Sequence, residues 1–256
     1  MALYIGGIDR SQNRRKAPVS SPTAWTPFHL GDALLAYWDA EASSSLTLAG
    51  SNVTTWTDCK NGHAPTQAIS GSKPLWSATG FNGRPAVIFD GVDDYLSILG
   101  TIPFPQGTDP CELWAITDFA AGNAVTSSII GWGDGVNAVT NRALRRLGTG
   151  YANALFGNGT TNSVVTNATI VLTGKRILRA RFEQAQGTVY VDGGNPATTI
   201  ATLNSNTANN FALGQGILGA NNYMKGAISA ILVTTLLSTD QATQLTTFLK
   251  LRGDIV

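Results

Sequence analysis

The sequence RILRARFEQAQGTVYVDGG, residues 176–194, contains two strand candidates, each followed by turn residues. In its first half, apolar and charged residues alternate, which is the period of a strand with one buried face and one solvated face. The apolar set is Leu178, Ala180 and Phe182, and the charged set is Arg179, Arg181 and Glu183. The segments EQAQG and VDGG then supply turn residues on either side of TVYV. This stretch therefore predicts an antiparallel hairpin.

Further β-branched or aromatic runs, bounded by turn residues, recur along the chain. They are CELWAITDF (111–119), SSIIGW (127–132) and ATIVLT (168–173). Trp38, Trp56 and Trp114 lie within strand patterns and are expected in the core. No helical pattern of 10–15 residues separates these runs, which excludes parallel βαβ architecture and favours an all-β antiparallel sandwich.

One helix is predicted near the end of the chain, in STDQATQLTTFLKLRG (238–253). Ser238 is expected to cap its amides while Gln241 reaches back, as in a capping box. Gly253 is expected to end the helix. One face carries an apolar stripe that would pack on the sandwich, formed by Ala242, Leu245, Phe248 and Leu249.

Composition limits the classes of partner. Charged residues make up 13% of the chain, against about a quarter in typical domains, and the net charge is +1. This charge gives no electrostatic case for a nucleic acid partner, and Ala227–Leu237, the most apolar run, is too short to enter and span a bilayer. Cys59 and Cys111 are expected to be free thiols in a chain that starts without a secretory signal.

Residues 1–30 differ from the rest because they carry four basic residues, one acidic residue and three prolines without an apolar period. They are predicted to form an extended anchoring arm that orders on a partner surface, although a functionless disordered terminus is the alternative. The residues expected to contact that partner are Leu3, Tyr4, Ile5, Arg14, Arg15, Lys16, Trp25 and Phe28.

Four segments, taken in order, resemble the concanavalin A-like or laminin G-like jelly rolls of bacteriophage and bacterial proteins. They begin LLAYWDAEASSS (within 34–76), GRPAVIFDGVDDYLSI (83–98), VYVDGGNPATT (189–199) and GAISAILVTT (within 226–252). The resemblance implies a jelly-roll domain over residues 31–256. It also implies a virion structural protein, assembled in the host cytoplasm.

VIFDGVDDYLSI (87–98) places Asp90, Asp93 and Asp94 between two apolar runs. Domains of this fold can bind calcium, but calcium needs six to eight oxygens and a single turn supplies only a few. We therefore expect Asp90-Gly91 to form a structural turn and predict no metal site.

Catalytic patterns are absent from the sequence. The resembling glucanases place Glu-x-Asp-x-Glu on one strand, which this chain lacks, and there is no G-x-S-x-G motif. GQGILG (214–219) matches a nucleotide-binding pattern, but no helix is predicted after it, so no cofactor is expected.

Carbohydrate binding requires an aromatic plane and polar neighbours. The candidates are Trp132, Asp134, Tyr151, Asn153, Asn221, Asn222 and Tyr223.

The leading hypothesis is a non-enzymatic bacteriophage virion protein, present in several copies and docked through its arm to capsid, collar or tail proteins. The alternative is a carbohydrate-binding or host-receptor-binding module that contacts a cell-surface glycan. A glycoside hydrolase ranks third.

Overall fold

The computed structural model describes residues 24–120, 125–134, 140–157, 159–205, 210–217 and 222–256. Within these ranges, sixteen strands and one α helix account for most of the chain. The strands are β1 (Leu34–Asp39), β2 (Leu46–Ala49), β3 (Asn52–Trp56), β4 (Leu75–Phe81), β5 (Arg84–Asp90), β6 (Leu96–Leu99), β7 (Cys111–Phe119), β8 (Ser127–Gly133), β9 (Arg142–Arg146), β10 (Tyr151–Gly157), β11 (Asn162–Val171), β12 (Gly174–Glu183), β13 (Gln186–Val191), β14 (Gly194–Ile200), β15 (Asn210–Leu213) and β16 (Lys225–Thr234). The helix is α1 (Thr239–Gly253), and 3-10 turns span Pro27–Ala33, Ser43–Ser45 and Ser70–Ser72.

The strands form two antiparallel sheets that pack face to face. In the described residues, the ten-stranded sheet has the order β14-β13-β12-β7-β16-β5-β4-β3-β2, and β1 pairs with the second half of β16. The six-stranded sheet has the order β11-β10-β9-β8-β15-β6. The main hydrophobic core lies between the sheets and includes Trp38, Trp56 and Phe211, which are at most 1% exposed. The predicted all-β antiparallel sandwich is confirmed.

In the hairpin from β12 to β13, the alternation of apolar and charged residues in the sequence corresponds to the two faces of the sheet. Leu178, Ala180 and Phe182 are fully buried in the core, whereas Arg179 and Arg181 lie on the other face of the ten-stranded sheet. Asp192 and Gly193 at the following turn both have positive φ, 54° and 80°. The predicted strand face and the predicted turn are therefore both confirmed.

Helix α1 packs on the outer side of the ten-stranded sheet through Leu245 and Leu249, which are fully buried. Ser238 Oγ accepts a hydrogen bond from the Gln241 amide, and Gln241 Oε1 accepts one from the Ser238 amide, so the predicted capping box is confirmed. The left-handed residue that ends the helix is Asp254, with φ 48°, rather than Gly253. In the part of the chain that the structure describes, no helix is long and apolar enough to cross a membrane.

The described part of the predicted arm is folded against the sandwich. Pro27–Ala33 forms a 3-10 turn with Pro27 and Leu30 buried, which corrects the extended conformation expected up to residue 30. The Trp25 ring lies 5.7 Å from the Phe248 ring of α1, and Phe28, 48% exposed, lies 6.0 Å from the Tyr37 ring. Apolar contact with its own chain orders this segment. The other predicted contact residues lie outside the described residues, namely Leu3, Tyr4, Ile5, Arg14, Arg15 and Lys16.

Candidate functional site

The face of the six-stranded sheet that points away from the core has a floor of small residues. Gly131 of β8 pairs with Ala143 of β9 on one side and with Ala212 of β15 on the other. A Cβ atom on Gly131 would lie 2.9 Å from the Arg142 carbonyl oxygen and 3.2 Å from Ile217 Cγ1. The small floor therefore allows the segment after β15, which includes Ile217, to lie directly on the sheet.

A pocket of about 120 Å³ opens where this segment meets the sheet, and we call it the outer-face pocket. Its lining combines polar side chains with a few apolar ones, as ligand sites do. The lining residues are Ser128, Asn141, Ala143, Arg145, Leu155, Asn162, Gly216, Ile217 and Asn222. At this size, below the roughly 300 Å³ of a site for a drug-sized ligand, the pocket admits one group of a larger molecule.

Arg145 is the charged side chain of the outer-face pocket. Its Nε and Nη2 atoms donate hydrogen bonds of 3.0 and 2.6 Å to one oxygen, Asn153 Oδ1. Asn153 is 1% exposed and is itself held, because its Nδ2 donates to the Val165 carbonyl oxygen and to Thr166 Oγ1. Burial lowers the pKa of Arg145 to about 10. Among the described residues, no carboxylate forms an ion pair with Arg145.

A larger groove, of about 770 Å³, lies between α1 and the ten-stranded sheet. Beneath it, the fully buried Glu112 accepts hydrogen bonds from Arg179 Nη2 at 2.6 Å and Arg181 Nη1 at 2.7 Å. The Arg179 guanidinium also lies between the rings of Trp114 and Tyr190, at 4.7 and 4.6 Å. These charges satisfy one another, so the network fixes the helix side of the sheet.

Glu183, at the edge of the same groove, is also paired. Burial raises its pKa, but hydrogen bonds from Arg181 and Gln186 outweigh burial and hold the pKa below its usual range. A general acid in glycoside hydrolysis needs the opposite shift. Glu183 therefore does not have the raised pKa that such a general acid uses.

The Asp90 turn has the structural role expected from the sequence. Asp90 Oδ1 accepts hydrogen bonds from the amides of Val92 and Asp93, at 2.8 and 3.3 Å, and Gly91 has φ 82°. The carboxylates of Asp90, Asp93 and Asp94 offer ligand atoms within 4.8 Å of one another. One ligand atom from each carboxylate gives three of the six to eight oxygens that calcium takes.

Trp132 does not provide the exposed ring that was expected of it. It is 1% exposed, its Nε1 donates to the Pro105 carbonyl oxygen at 3.0 Å, and its ring lies 5.3 Å from Phe104. Trp132 belongs to the main core cluster between the sheets, together with Ile130 two residues earlier on β8. This candidate is therefore corrected from a sugar platform to a core residue.

The other sugar-binding candidates are divided. Asn222 lines the outer-face pocket and Asn153 lies beneath it as the partner of Arg145, while Tyr151 lies on the same face of β10 as Asn153. Tyr223 is half-buried, and its hydroxyl accepts a hydrogen bond from Gln215. Asp134 is half-buried at the end of β8, and its carbonyl oxygen accepts a hydrogen bond from Asn210. Asn221 lies outside the described residues.

Sequence reasoning missed most of the pocket, including Ser128, Asn141, Arg145 and Asn162. One signal was available, since RALRR (142–146) places three arginines in five residues of a chain with few charges. These arginines point to opposite faces of β9, with Arg142 buried inside and Arg145 outside.

Neither a protein-family model nor a curated protein matches the chain. Among solved structures, domain 4 of AbnA, a GH43 extracellular arabinanase of Geobacillus stearothermophilus in complex with arabinotriose, matches with a TM-score of 0.60 and 12% identity, over 83% of this chain and 98% of that chain. Trypanosoma rangeli sialidase in complex with sialic acid matches at 0.57 and 16%, over 86% of this chain and 33% of that one. The CBM40 domain of a Ruminococcus gnavus sialidase matches at 0.47 and 15%, over 59% and 97%. The first two matches show a lectin-like β-sandwich.

Proposed function

We propose that the protein is a glycan-binding domain, with the outer-face pocket as its site. The observation that carries this proposal is the convergence of Ser128, Arg145, Asn162 and Asn222 around one opening. Hydroxyl groups of a sugar need such donors and acceptors. The aliphatic side chains of Leu155 and Ile217 offer the sugar ring an apolar wall in place of the aromatic plane expected from the sequence. The shared fold with a domain described in complex with arabinotriose gives support at the level of architecture.

We further propose that binding occurs without chemistry. The described lining of the outer-face pocket contains neither Asp nor Glu. In the groove under α1, Glu112 and Glu183 are both bound to Arg181. Asp192, which also lines the groove, pairs with Arg176 at 3.5 Å. Among the described residues, neither surface therefore presents two carboxylates free of arginine, whereas glycoside hydrolysis uses a pair that faces the sugar bond.

The test is a glycan array on the full chain, followed by calorimetry with the best oligosaccharide. The double variant Asn162→Ala, Asn222→Ala removes two polar side chains that lack hydrogen bonds to described residues. We expect about 30-fold weaker binding, because two hydrogen bonds are lost and each is worth about 1 kcal/mol.

Thr247→Ala, in the groove under α1, is the matched control and should bind like the parent. If Thr247→Ala weakens oligosaccharide binding and the double variant does not, the binding site is the groove under α1 and not the outer-face pocket. An array without any bound glycan would end the proposal.

A second candidate function is the virion role, docked through the N-terminal arm as one of several copies. It is favoured by the basic, proline-containing composition of residues 1–30. Deleting residues 1–23 should abolish incorporation into particles and leave glycan binding intact. Unchanged incorporation after this deletion would contradict the virion role of the arm.

A further inference from the structure

Arg142 and Arg145 of β9 have no carboxylate partner among the described residues, but only Arg142 has a hydrogen-bond partner for every guanidinium nitrogen. Arg142 is fully buried, and its nitrogens donate to Ser205 Oγ and to the carbonyl oxygens of Asp109 and Gly107, at 2.6, 2.6 and 3.0 Å. All three nitrogens of Arg142 are used, so it is a structural cation that ties loops to the sheet.

Arg145 differs, because its described partners amount to a single oxygen. Asn153 Oδ1 receives both Nε and Nη2, which leaves Nη1 without a described partner. The internal segments outside the described ranges contain neither Asp nor Glu, and Asp9 is the sole acidic residue in residues 1–23. The internal segments therefore offer no counter-charge.

Keeping a half-buried cation without an anion is unfavourable, since burial costs a charge its hydration. The lowered pKa of Arg145 reflects this cost, with desolvation as its cause. The arrangement is nevertheless rigid, because Asn153 is fixed by the Val165 carbonyl oxygen and by Thr166. A preorganised, unneutralised guanidinium at the wall of a small polar pocket is suited to an anionic ligand.

We propose that the outer-face pocket binds an acidic sugar by its carboxylate, with Arg145 as the counter-ion and Asn153 as a positioning residue. This inference rests on the proposed glycan-binding function and specifies the substrate class. The pocket, at about 120 Å³, has room for the carboxylate and adjoining atoms, while the remainder of the oligosaccharide lies on the surface. A carboxylate is planar and matches the guanidinium fork.

The experiment is calorimetry of the full chain with matched acidic and neutral ligands. One pair is tri-galacturonate with its carboxyl-reduced form, and the other is sialyllactose with lactose; galactose 6-sulfate serves as a sulfate probe. We expect one acidic member to bind about 10- to 100-fold more tightly than its neutral partner, the range of a hydrogen bond to a charged group. The pair that responds identifies a uronic acid or a nonulosonic acid as the source of the carboxylate.

Arg145→Gln should remove the difference between acidic and neutral ligands, because it removes the counter-ion of the carboxylate. Arg145→Lys keeps the charge without the fork and should lose part of the difference. Arg84→Gln, an exposed arginine paired with Glu41, is the matched control and should bind like the parent. Thermal unfolding midpoints establish that each variant is folded, and we expect Arg145→Gln not to be destabilised because it removes an unpaired charge.

Equal affinity for both members of each pair would overturn the carboxylate inference while leaving the glycan-binding proposal standing. Preference for the sulfate probe alone would also overturn it. If a folded Arg145→Gln variant still prefers the acidic ligands, another group binds the carboxylate and the role proposed for Arg145 is wrong. Absence of binding to every sugar would instead defeat the proposed function itself.

Discussion

We expect Asp94 to make the stability of the fold depend on pH. Burial, followed by the nearby Asp90 and Asp93, raises its pKa to about 6, although the hydrogen bond from the Asp90 amide acts in the opposite direction. An unfolded Asp titrates near pH 3.9, so the native state holds more protons between about pH 4 and 6. Stability contributed at this site is therefore present below pH 4 and is lost as pH rises to 6. Asp94→Asn keeps an acceptor for the Asp90 amide and should remove this loss.

Urea unfolding of the parent and Asp94→Asn at pH 4, 5, 6 and 7 measures the effect as a difference between two profiles. The difference should grow from pH 4 to 6 in favour of Asp94→Asn and then stay constant. Asp32→Asn, at an exposed position, is the control and should follow the parent. Parallel profiles for the parent and Asp94→Asn would contradict the raised pKa.

Helix α1 had the clearest local sequence pattern, a capping box followed by an apolar stripe. Substitution of its N-cap residue, Ser238, tests how much the cap contributes to stability. Ser238→Ala removes the side-chain oxygen that accepts from the Gln241 amide, at 3.2 Å, and should lower the free energy of unfolding by about 1 kcal/mol. Ser238→Asp retains an acceptor next to the positive end of the helix and should stay near the parent. Urea unfolding measures both, and an Ala variant as stable as the parent would show that packing of Leu245 and Leu249 alone fixes the helix.

Strands rich in β-branched and aromatic residues, or with regular alternation, were predictable, and the arginine-rich β9 was not. CELWAITDF matches the bounds of β7, and the β12 to β13 hairpin was evident from its alternation. β9 was missed because RALRR directs Arg142 into the core, where carbonyl oxygens of a distant loop solvate it. The sequence near β9 does not show that these carbonyl oxygens will bind Arg142. Charged residues are mostly exposed in proteins, so an arginine is ordinarily predicted to face solvent.

For the whole molecule, the sequence predicted the β-sandwich but not the position of the outer-face pocket. The outer-face pocket joins β8, β9, β10 and the start of β11 to residues 216–217 and Asn222. β15 is far from β8 in the chain, yet the two are neighbours in the sheet. Such pairing is decided by the packing of two complete sheets, so Arg145 and Asn222 meet through topology alone.

The boundary between arm and sandwich follows from the same packing and can be tested by truncation. Residues 24–256 retain Trp25 against Phe248 and the buried Leu30, whereas residues 31–256 lose both contacts. Burial of one Leu side chain is worth about 1.5–3 kcal/mol, so 31–256 should be less stable than 24–256 by at least about 2 kcal/mol in urea unfolding. The fragment 24–256 should match the full chain. Equal stability of both fragments would contradict this prediction and place the domain boundary at residue 30. Trp25 and Phe28 would then belong to the arm and be available to contact a partner.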